Sequence, residues 1–110
     1  MHSMGSLNMK RLSLKSQGGL LYIIGPDNEP RLKVKAGETV TVETHDAWAG
    51  KIRNEEQRYS SVLAELGKYA NPVSGPIYVE GTAKGDTLVV DIKGITPTRS
   101  YAIAVIPPWW

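Results

Sequence analysis

The chain has 110 residues, of which 41% are hydrophobic and 22% are charged, and its formal net charge is +2. This length suits one globular domain, and the absence of cysteine excludes disulfides, thiolate zinc sites and cysteine nucleophiles. Basic residues are scattered among acidic ones, which argues against nucleic-acid binding, and no apolar run approaches the roughly 20 residues of a membrane-spanning helix. We therefore expect a soluble, cytoplasmic protein that binds neither nucleic acid nor membrane.

The first residues differ in character from the rest. Residues 1–8 lack the basic and apolar regions of a signal peptide and precede Met9, so they read as a leader or tag remnant. Residues 9–110 then form a single β-rich domain. Its first strand candidate is the apolar run at residues 20–24, which has the length of a buried strand.

The next segment predicts a β-hairpin. Residues 32–36 alternate apolar and polar side chains, Gly37 and Glu38 suit a tight turn, and residues 39–44 resume the alternation. A hairpin with one solvated face follows from this pattern.

One segment has helical periodicity. Over residues 55–68 four apolar side chains fall on one face, Ser60 or Ser61 suits the N-cap, and Gly67 stands where a helix C-cap favours glycine. The four apolar residues are Tyr59, Val62, Leu63 and Leu66. We expect one short helix here, and the Asn71-Pro72 and Gly75-Pro76 pairs that follow exclude helix.

The rest of the chain again favours strands. Residues 77–79 and 87–92 flank a turn at residues 84–86, and residues 101–106 are a last strand candidate. Together the elements predict a mainly β fold, an antiparallel sandwich or small barrel of six to eight strands with one short helix. The expected core positions are Ile23, Leu32, Val34, Val40, Val42, Ile77, Val79, Leu88, Val90, Ile92, Ile103 and Val105.

Candidate functional groups stand at strand ends. His45 and Asp46 follow the strand at residues 39–44, and Glu80 ends the strand at residues 77–79. Each has an ordinary alternative: His45 and Asp46 as solvated polar residues, and Glu80 as an edge charge that opposes aggregation. Adjacent residues on a strand point to opposite faces, so at most one of His45 and Asp46 reaches a given site.

The residue types limit the chemistry. His45 is the only histidine outside residues 1–8 and no GxSxG motif occurs, which argues against serine catalysis within the chain. A water molecule activated by a divalent cation, zinc or calcium, stays open. Asp46 and Glu80 would then act as carboxylate ligands or as the base, and His45 as a nitrogen ligand.

Three blocks of the sequence carry a resemblance. Gly25-Pro-Asp-Asn-Glu-Pro30, Thr44-His-Asp-Ala-Trp-Ala-Gly-Lys-Ile52 and the segment at residues 71–92, which contains Gly-Pro-Ile-Tyr-Val-Glu-Gly and Gly-Asp-Thr, occur in this order. They resemble the N-terminal part of the acetamidase/formamidase family, whose members hydrolyse small linear amides. The resemblance extends over residues 25–96, and Thr82 departs from the usual alanine.

The resemblance implies roles for several residues. Asp46 and Glu80 are expected to be catalytic, and His45 is expected to join them in a metal site. Asn71 stands where relatives have a pocket-lining polar residue before the proline, and Gly75 permits close approach of the backbone to substrate. Both are therefore expected to bind the amide.

The resemblance also implies a missing part. Relatives continue well beyond residues 106–110 and place further active-site residues there, so either a partner chain carries the rest or this chain is truncated. We expect it to act with a C-terminal partner chain or as a homo-oligomer, and to be inactive alone. Trp109 and Trp110 are expected at the contact. The alternative is a non-catalytic β-module that kept the fold and serves in assembly or small-ligand binding.

Overall fold

Four short strands and one helix are the regular elements of the computed structural model, which describes residues 9–67 and 69–106. The regular structure is thus mostly strand with one short helix, as predicted. The strands are β1 (Lys10–Leu12), β2 (Leu32–Lys35), β3 (Val40–Val42) and β4 (Ile77–Glu80), and the helix α1 spans Tyr59–Leu66.

The strands form two parallel pairs. β1 pairs with β3, and Leu12 lies opposite Val42; β2 pairs with β4, and Val34 lies opposite Val79. This pairing differs from the predicted antiparallel sandwich or barrel. Alternation of apolar and polar residues identifies a strand but does not choose its neighbour, and here each neighbour is distant in the sequence.

The predicted turn at Gly37 forms, but it does not close a hairpin. The Glu38 backbone N–H donates to the Lys35 carbonyl (3.1 Å), and the Glu38 carboxylate accepts from the Lys35 N–H (2.6 Å). Gly37 has φ of 87°, which the turn requires and which glycine adopts without strain. The turn sends the chain from one strand pair to the other, because β2 and β3 belong to different sheets.

A lysine connects the two sheets. The Lys10 ammonium on β1 donates to the Lys33 carbonyl on β2 (2.7 Å) and lies 3.2 Å from the Glu38 carboxylate. Because both side chains of this ion pair are partly exposed, it contributes little to stability.

The helix lies inside its predicted range and has the predicted face. Val62 is buried, and Tyr59, Leu63 and Leu66 are half-buried on the same side. The predicted serine caps are wrong, because Arg58 occupies the N-cap with extended backbone and no side-chain cap bond, which leaves both serines inside the helix. Gly67 ends the helix as predicted, and its N–H donates to the Leu63 carbonyl. Among the described residues no helix is long and apolar enough to cross a membrane.

The core is small. Its fully buried apolar side chains among the described residues are Leu12, Val34 and Val62. Most predicted core positions on the strands are half-buried, whereas four are exposed. The exposed ones are Ile23, Leu88, Val90 and Ile92.

Three predicted strands are absent from the described residues. Residues 20–24 form only one isolated antiparallel bridge, between Leu21 and Val73, and residues 87–92 and 101–106 have no strand pairing. An extended apolar segment becomes a strand only when another backbone hydrogen-bonds to it, and the described chain offers these segments no such neighbour.

The contrast between two leucines tests this core. Leu12 is 1% exposed and Leu88, a sequence-predicted core residue, is 65% exposed. Leu12→Ala should lower the free energy of unfolding by about 2–5 kcal/mol, because it removes buried methyl groups and leaves a cavity. The matched change Leu88→Ala should alter it by less than about 0.5 kcal/mol. Urea unfolding of the two variants measures both values, and equal losses would contradict the described core.

Candidate functional site

Three segments that are distant in the sequence meet around one buried amide. Gln17 is 6% exposed, and its Nε2 donates to the Glu43 carbonyl (3.0 Å) and the Ser74 hydroxyl (3.3 Å). Its Oε1 accepts the N–H of Gly75 (3.0 Å), and the Ser74 hydroxyl donates to the same Glu43 carbonyl (2.8 Å). We call Gln17, Glu43, Ser74 and Gly75 the Gln17 network; it holds the ends of β1 and β3 against the segment before β4.

The Glu43 carboxylate supports the same junction. It accepts the Leu14 backbone N–H (3.1 Å) and pairs with the Arg11 guanidinium at 2.8 and 2.7 Å. The Leu14 N–H, and after it Arg11, hold the pKa of Glu43 below its ordinary value of 4.5. The Glu43 carboxylate is thus fully engaged in structural contacts, and it stays charged near neutral pH.

His45 lines a small pocket next to this network. The pocket has a volume of about 10 Å³, roughly the room that one water molecule needs. Its other lining residues come from the loop after β1, the residue before β2 and the segment before β4. They are Leu14, Gln17, Gly18, Gly19, Leu20, Arg31 and Val73.

Asp46 organises the turn that follows His45. One carboxylate oxygen accepts the backbone N–H groups of Trp48 (2.7 Å) and Gly50 (3.3 Å), and the other pairs with the Arg99 guanidinium. Both oxygens therefore have partners within the chain. This arrangement is typical of an aspartate that fixes a loop, and it leaves less of the carboxylate free to bind a ligand.

The helix α1 contacts the turn that follows His45. The Trp48 and Tyr59 rings meet edge to face with centroids 5.6 Å apart. Glu65 on α1 lies 4.0 Å from Lys51 and 3.8 Å from Arg53, at the longer end of ion-pair distances. Ring packing is the stronger of the two contacts, because exposed ion pairs are screened by water.

Glu80 has a different environment. It ends β4 opposite Lys35 and is half-buried, and its carboxylate has no hydrogen bond or ion pair with residues 9–67 or 69–106. A free, partly buried carboxylate can accept a proton from a substrate or a water molecule. Of the two predicted catalytic carboxylates, Glu80 is the more available.

The two predicted substrate-binding residues both fix the backbone before β4. Asn71 has φ of 62°, and its N–H donates to the Ala47 carbonyl (2.7 Å), which ties it to the Asp46 turn. Gly75 is buried with φ of 105°, and an added Cβ there would lie 3.3 Å from the Ile77 nitrogen. Side chains other than hydrogen are therefore disfavoured at Gly75, and its close backbone approach here serves Gln17.

A three-ligand metal centre is not assembled by the described residues. No group of three histidine, aspartate or glutamate side chains among them could hold a metal ion. His45, Asp46 and Glu80 therefore do not fit a zinc or calcium site by themselves, and the Asp46 oxygens already have partners. Their metal and catalytic roles stay predictions.

Sequence reasoning missed three residues near these sites. Gln17, Arg31 and Arg99 are single polar residues in segments without a motif, and nothing in their spacing distinguishes them. Each acts through a contact or a pocket with residues far along the chain.

The chain matches known proteins over most of its length. Residues 16–106 match the sequence model of the Acetamidase/Formamidase family. A Schizosaccharomyces pombe protein that carries a formamidase name is 32% identical over 84 residues, which are 76% of this chain and 19% of that protein. The crystal structure of an acetamidase from Yersinia enterocolitica is 35% identical with a TM-score of 0.62, over 70% of this chain and 23% of that one. The chain thus spans about a fifth of the length of these two relatives.

The lowered pKa of Glu43 predicts how stability depends on pH. A carboxyl whose folded-state pKa lies below 4.5 stabilises the fold above pH 4.5, and this contribution is lost as the pH falls through the folded-state pKa. Glu43→Gln should therefore reduce the loss of stability between about pH 5 and about pH 3. The pKa of Glu38 is also lowered, foremost by the Lys35 N–H. Glu38 therefore also stabilises the fold above pH 4.5, and part of the loss of stability on acidification should remain in Glu43→Gln.

Urea midpoints measured across this pH range test the prediction. The control is Glu55→Gln, because Glu55 is exposed and makes no ion pair among the described residues. An unchanged pH profile in Glu43→Gln would show that the pKa of Glu43 does not differ between the folded and the unfolded state.

Proposed function

The chain belongs to the acetamidase/formamidase family, and from that premise we propose that it forms one wall of an amidase site for small linear amides. The reaction would break the C–N bond of formamide or acetamide and release a carboxylate and ammonia. The observation that carries the proposal is the family match over residues 16–106, which includes every residue predicted to be catalytic or to bind substrate.

Glu80 is the proposed general base. Amide hydrolysis needs a base that takes a proton from the attacking water, donors that stabilise the tetrahedral oxyanion, and an acid that protonates the departing nitrogen. Glu80 suits the first role, because its half-buried carboxylate has no partner among the described residues. The other two groups would come from the part of the family fold that lies beyond the matched region.

Asp46 is proposed to position neighbouring residues rather than to react itself. Its contacts with Trp48, Gly50 and Arg99 would hold the turn that follows His45. The same turn contains the Ala47 carbonyl, which accepts the Asn71 N–H. Asn71 and Gly75 would then present a fixed backbone path along the substrate. A metal ion, if bound, would need ligands from outside the described residues.

An exposed apolar segment supports the need for another polypeptide part. Residues 87–95 carry apolar side chains on both faces and have no strand partner among the described residues, and Val89 is 85% exposed. The radius of gyration is 17.3 Å, whereas a compact domain of about 100 residues has roughly 13 Å. We propose that this segment is covered either by the remainder of the family fold or by a second copy of this chain. Trp109 and Trp110, also expected at the contact, lie outside the described residues.

One observation favours the alternative function. Both carboxylate oxygens of Asp46 are engaged by the chain itself, as expected for a residue that has only a structural role. The alternative is a non-catalytic β-module that serves in assembly or small-ligand binding, and activity measurements separate the two.

Complementation tests the amidase proposal. We expect this chain to release no ammonia from formamide or acetamide alone. When it is mixed with the Yersinia enterocolitica acetamidase from which the matched region has been deleted, activity should appear. Glu80→Gln should lower that activity by about 100-fold or more, because a general base of this kind contributes about 10²–10⁴ in rate.

The control is Glu56→Gln, which changes an exposed carboxylate and should keep full activity. Full activity in Glu80→Gln would remove Glu80 from the role of base. Turnover by the chain alone, as a monomer, would contradict the need for another part. A mixture without turnover would favour the β-module.

The covering proposal predicts association through the exposed segment. At tens of micromolar, the chain should sediment as more than a monomer, or bind the deleted acetamidase, through a contact that buries about 1,000 Å² or more in total. Val89→Asp should abolish this association, because it places an unpaired charge in an apolar contact. Thr39→Asp, which adds the same charge at an exposed polar position outside the segment, is the matched control. Identical behaviour of the two variants would contradict the proposal.

A further inference from the structure

Arg31 brings an unpaired cation to the edge of the Gln17 network. Its backbone N–H donates to the Pro76 carbonyl (2.9 Å), which fixes the residue immediately before β2. Arg31 is half-buried and lines the small pocket, and its guanidinium has no hydrogen bond or ion pair with residues 9–67 or 69–106. A half-buried guanidinium without a carboxylate partner favours an anion from solution.

His45 lines the same pocket. Its imidazole is half-buried and also has no hydrogen-bond partner in the described part of the chain. Because a neutral imidazole carries one N–H, His45 can donate to an anion without first gaining a proton. Gly18 and Gly19 also line the pocket, and their backbone N–H groups donate to no described residue.

The polar groups of Glu43 and Gln17 next to the pocket are already bonded within the chain. The Glu43 carboxylate is committed to Arg11 and the Leu14 N–H. The Gln17 amide has used both its donor and its acceptor within the network. Neither group therefore competes with an external anion for Arg31.

We propose that this pocket binds the carboxylate of a very small organic acid, formate or acetate, through Arg31 and His45. The inference rests on the proposed function, since these acids are the products that hydrolysis of formamide and acetamide would release. It places the product carboxylate in the pocket that Arg31 and His45 line, and it gives both residues the role of binding this carboxylate.

Size and polarity select this ligand. The pocket volume of about 10 Å³ admits roughly one oxygen-sized atom, so a carboxylate enters with one oxygen while its remaining atoms lie at the mouth. The flat guanidinium fork matches the two oxygens of a carboxylate. Leu14, Leu20 and Val73 provide an apolar rim that suits the hydrogen of formate or the methyl of acetate. A tetrahedral phosphate is bulkier, and its double charge needs more donors than this rim supplies.

Solution NMR of the full chain tests the proposal. Sodium formate and sodium acetate are titrated at constant ionic strength, with sodium chloride as the balancing salt. Saturable shifts are expected for Gly18, Gly19, Arg31 and His45, with a Kd near 1 mM, since a ligand of three heavy atoms rarely binds more tightly. Arg31→Gln should weaken binding about tenfold or more, because it removes a charge-assisted hydrogen bond.

Two variants define the specificity of the effect. Arg58→Gln removes an exposed arginine that lies outside the pocket, and it should leave the Kd unchanged. Arg31→Lys keeps the charge but loses the fork, so it should bind with intermediate strength. If Arg31→Gln does not fold, His45→Gln provides the second test and should also weaken formate binding.

Several results would overturn the inference. They are the absence of saturable shifts up to about 100 mM formate, equal responses to chloride or phosphate, and wild-type affinity in Arg31→Gln. The assay is separate from catalysis. A chain that complements amidase activity but does not bind formate rejects this inference alone, whereas formate binding without turnover keeps the site and rejects the proposed function.

Discussion

The side-chain amide of Gln17 is the contact on which the arrangement of this chain depends. Burying an amide is unfavourable unless its donors and acceptor are all bonded, and Gln17 meets this condition with groups at Glu43, Ser74 and Gly75. No buried side-chain nitrogen or oxygen in the described residues lacks a partner. Because these partners are 26 to 58 positions away, one residue fixes how the β1 and β3 region meets the segment before β4.

The positions of the candidate functional side chains depend on the contacts of Gln17 with Glu43, Ser74 and Gly75. His45 follows Glu43 by two residues and lines the pocket that Gln17 also lines, together with Arg31, the residue before β2. Asp46 turns away into its own loop and is held by Trp48, Gly50 and Arg99. The Asp46 side chain is therefore bonded within the chain, whereas the His45 side chain has no hydrogen-bond partner among the described residues.

The small core and the exposed segment at residues 87–95 have the same origin. Parallel pairs of three and four residues cover little apolar surface, and only Leu12, Val34 and Val62 are buried apolar residues in the described part. The two relatives match this chain over only 19% and 23% of their own length, so they have additional backbone and side chains with which such a segment could pair. This is the physical basis for proposing that the site is completed by another part of the family fold.

The sequence by itself determined the local features. Periodicity located the helix face at Tyr59 and Val62, alternation located β2 and β3, glycine marked the turn at Gly37, and the ordered motifs gave the family. Only the tertiary structure decided which strands pair, that Leu88 is exposed while Leu12 is buried, and that Arg31 and His45 line the same pocket. The reason is that periodicity and turn chemistry act between residues a few positions apart. Pairing, burial and pocket formation depend instead on contacts between segments tens of residues apart, which no local pattern encodes.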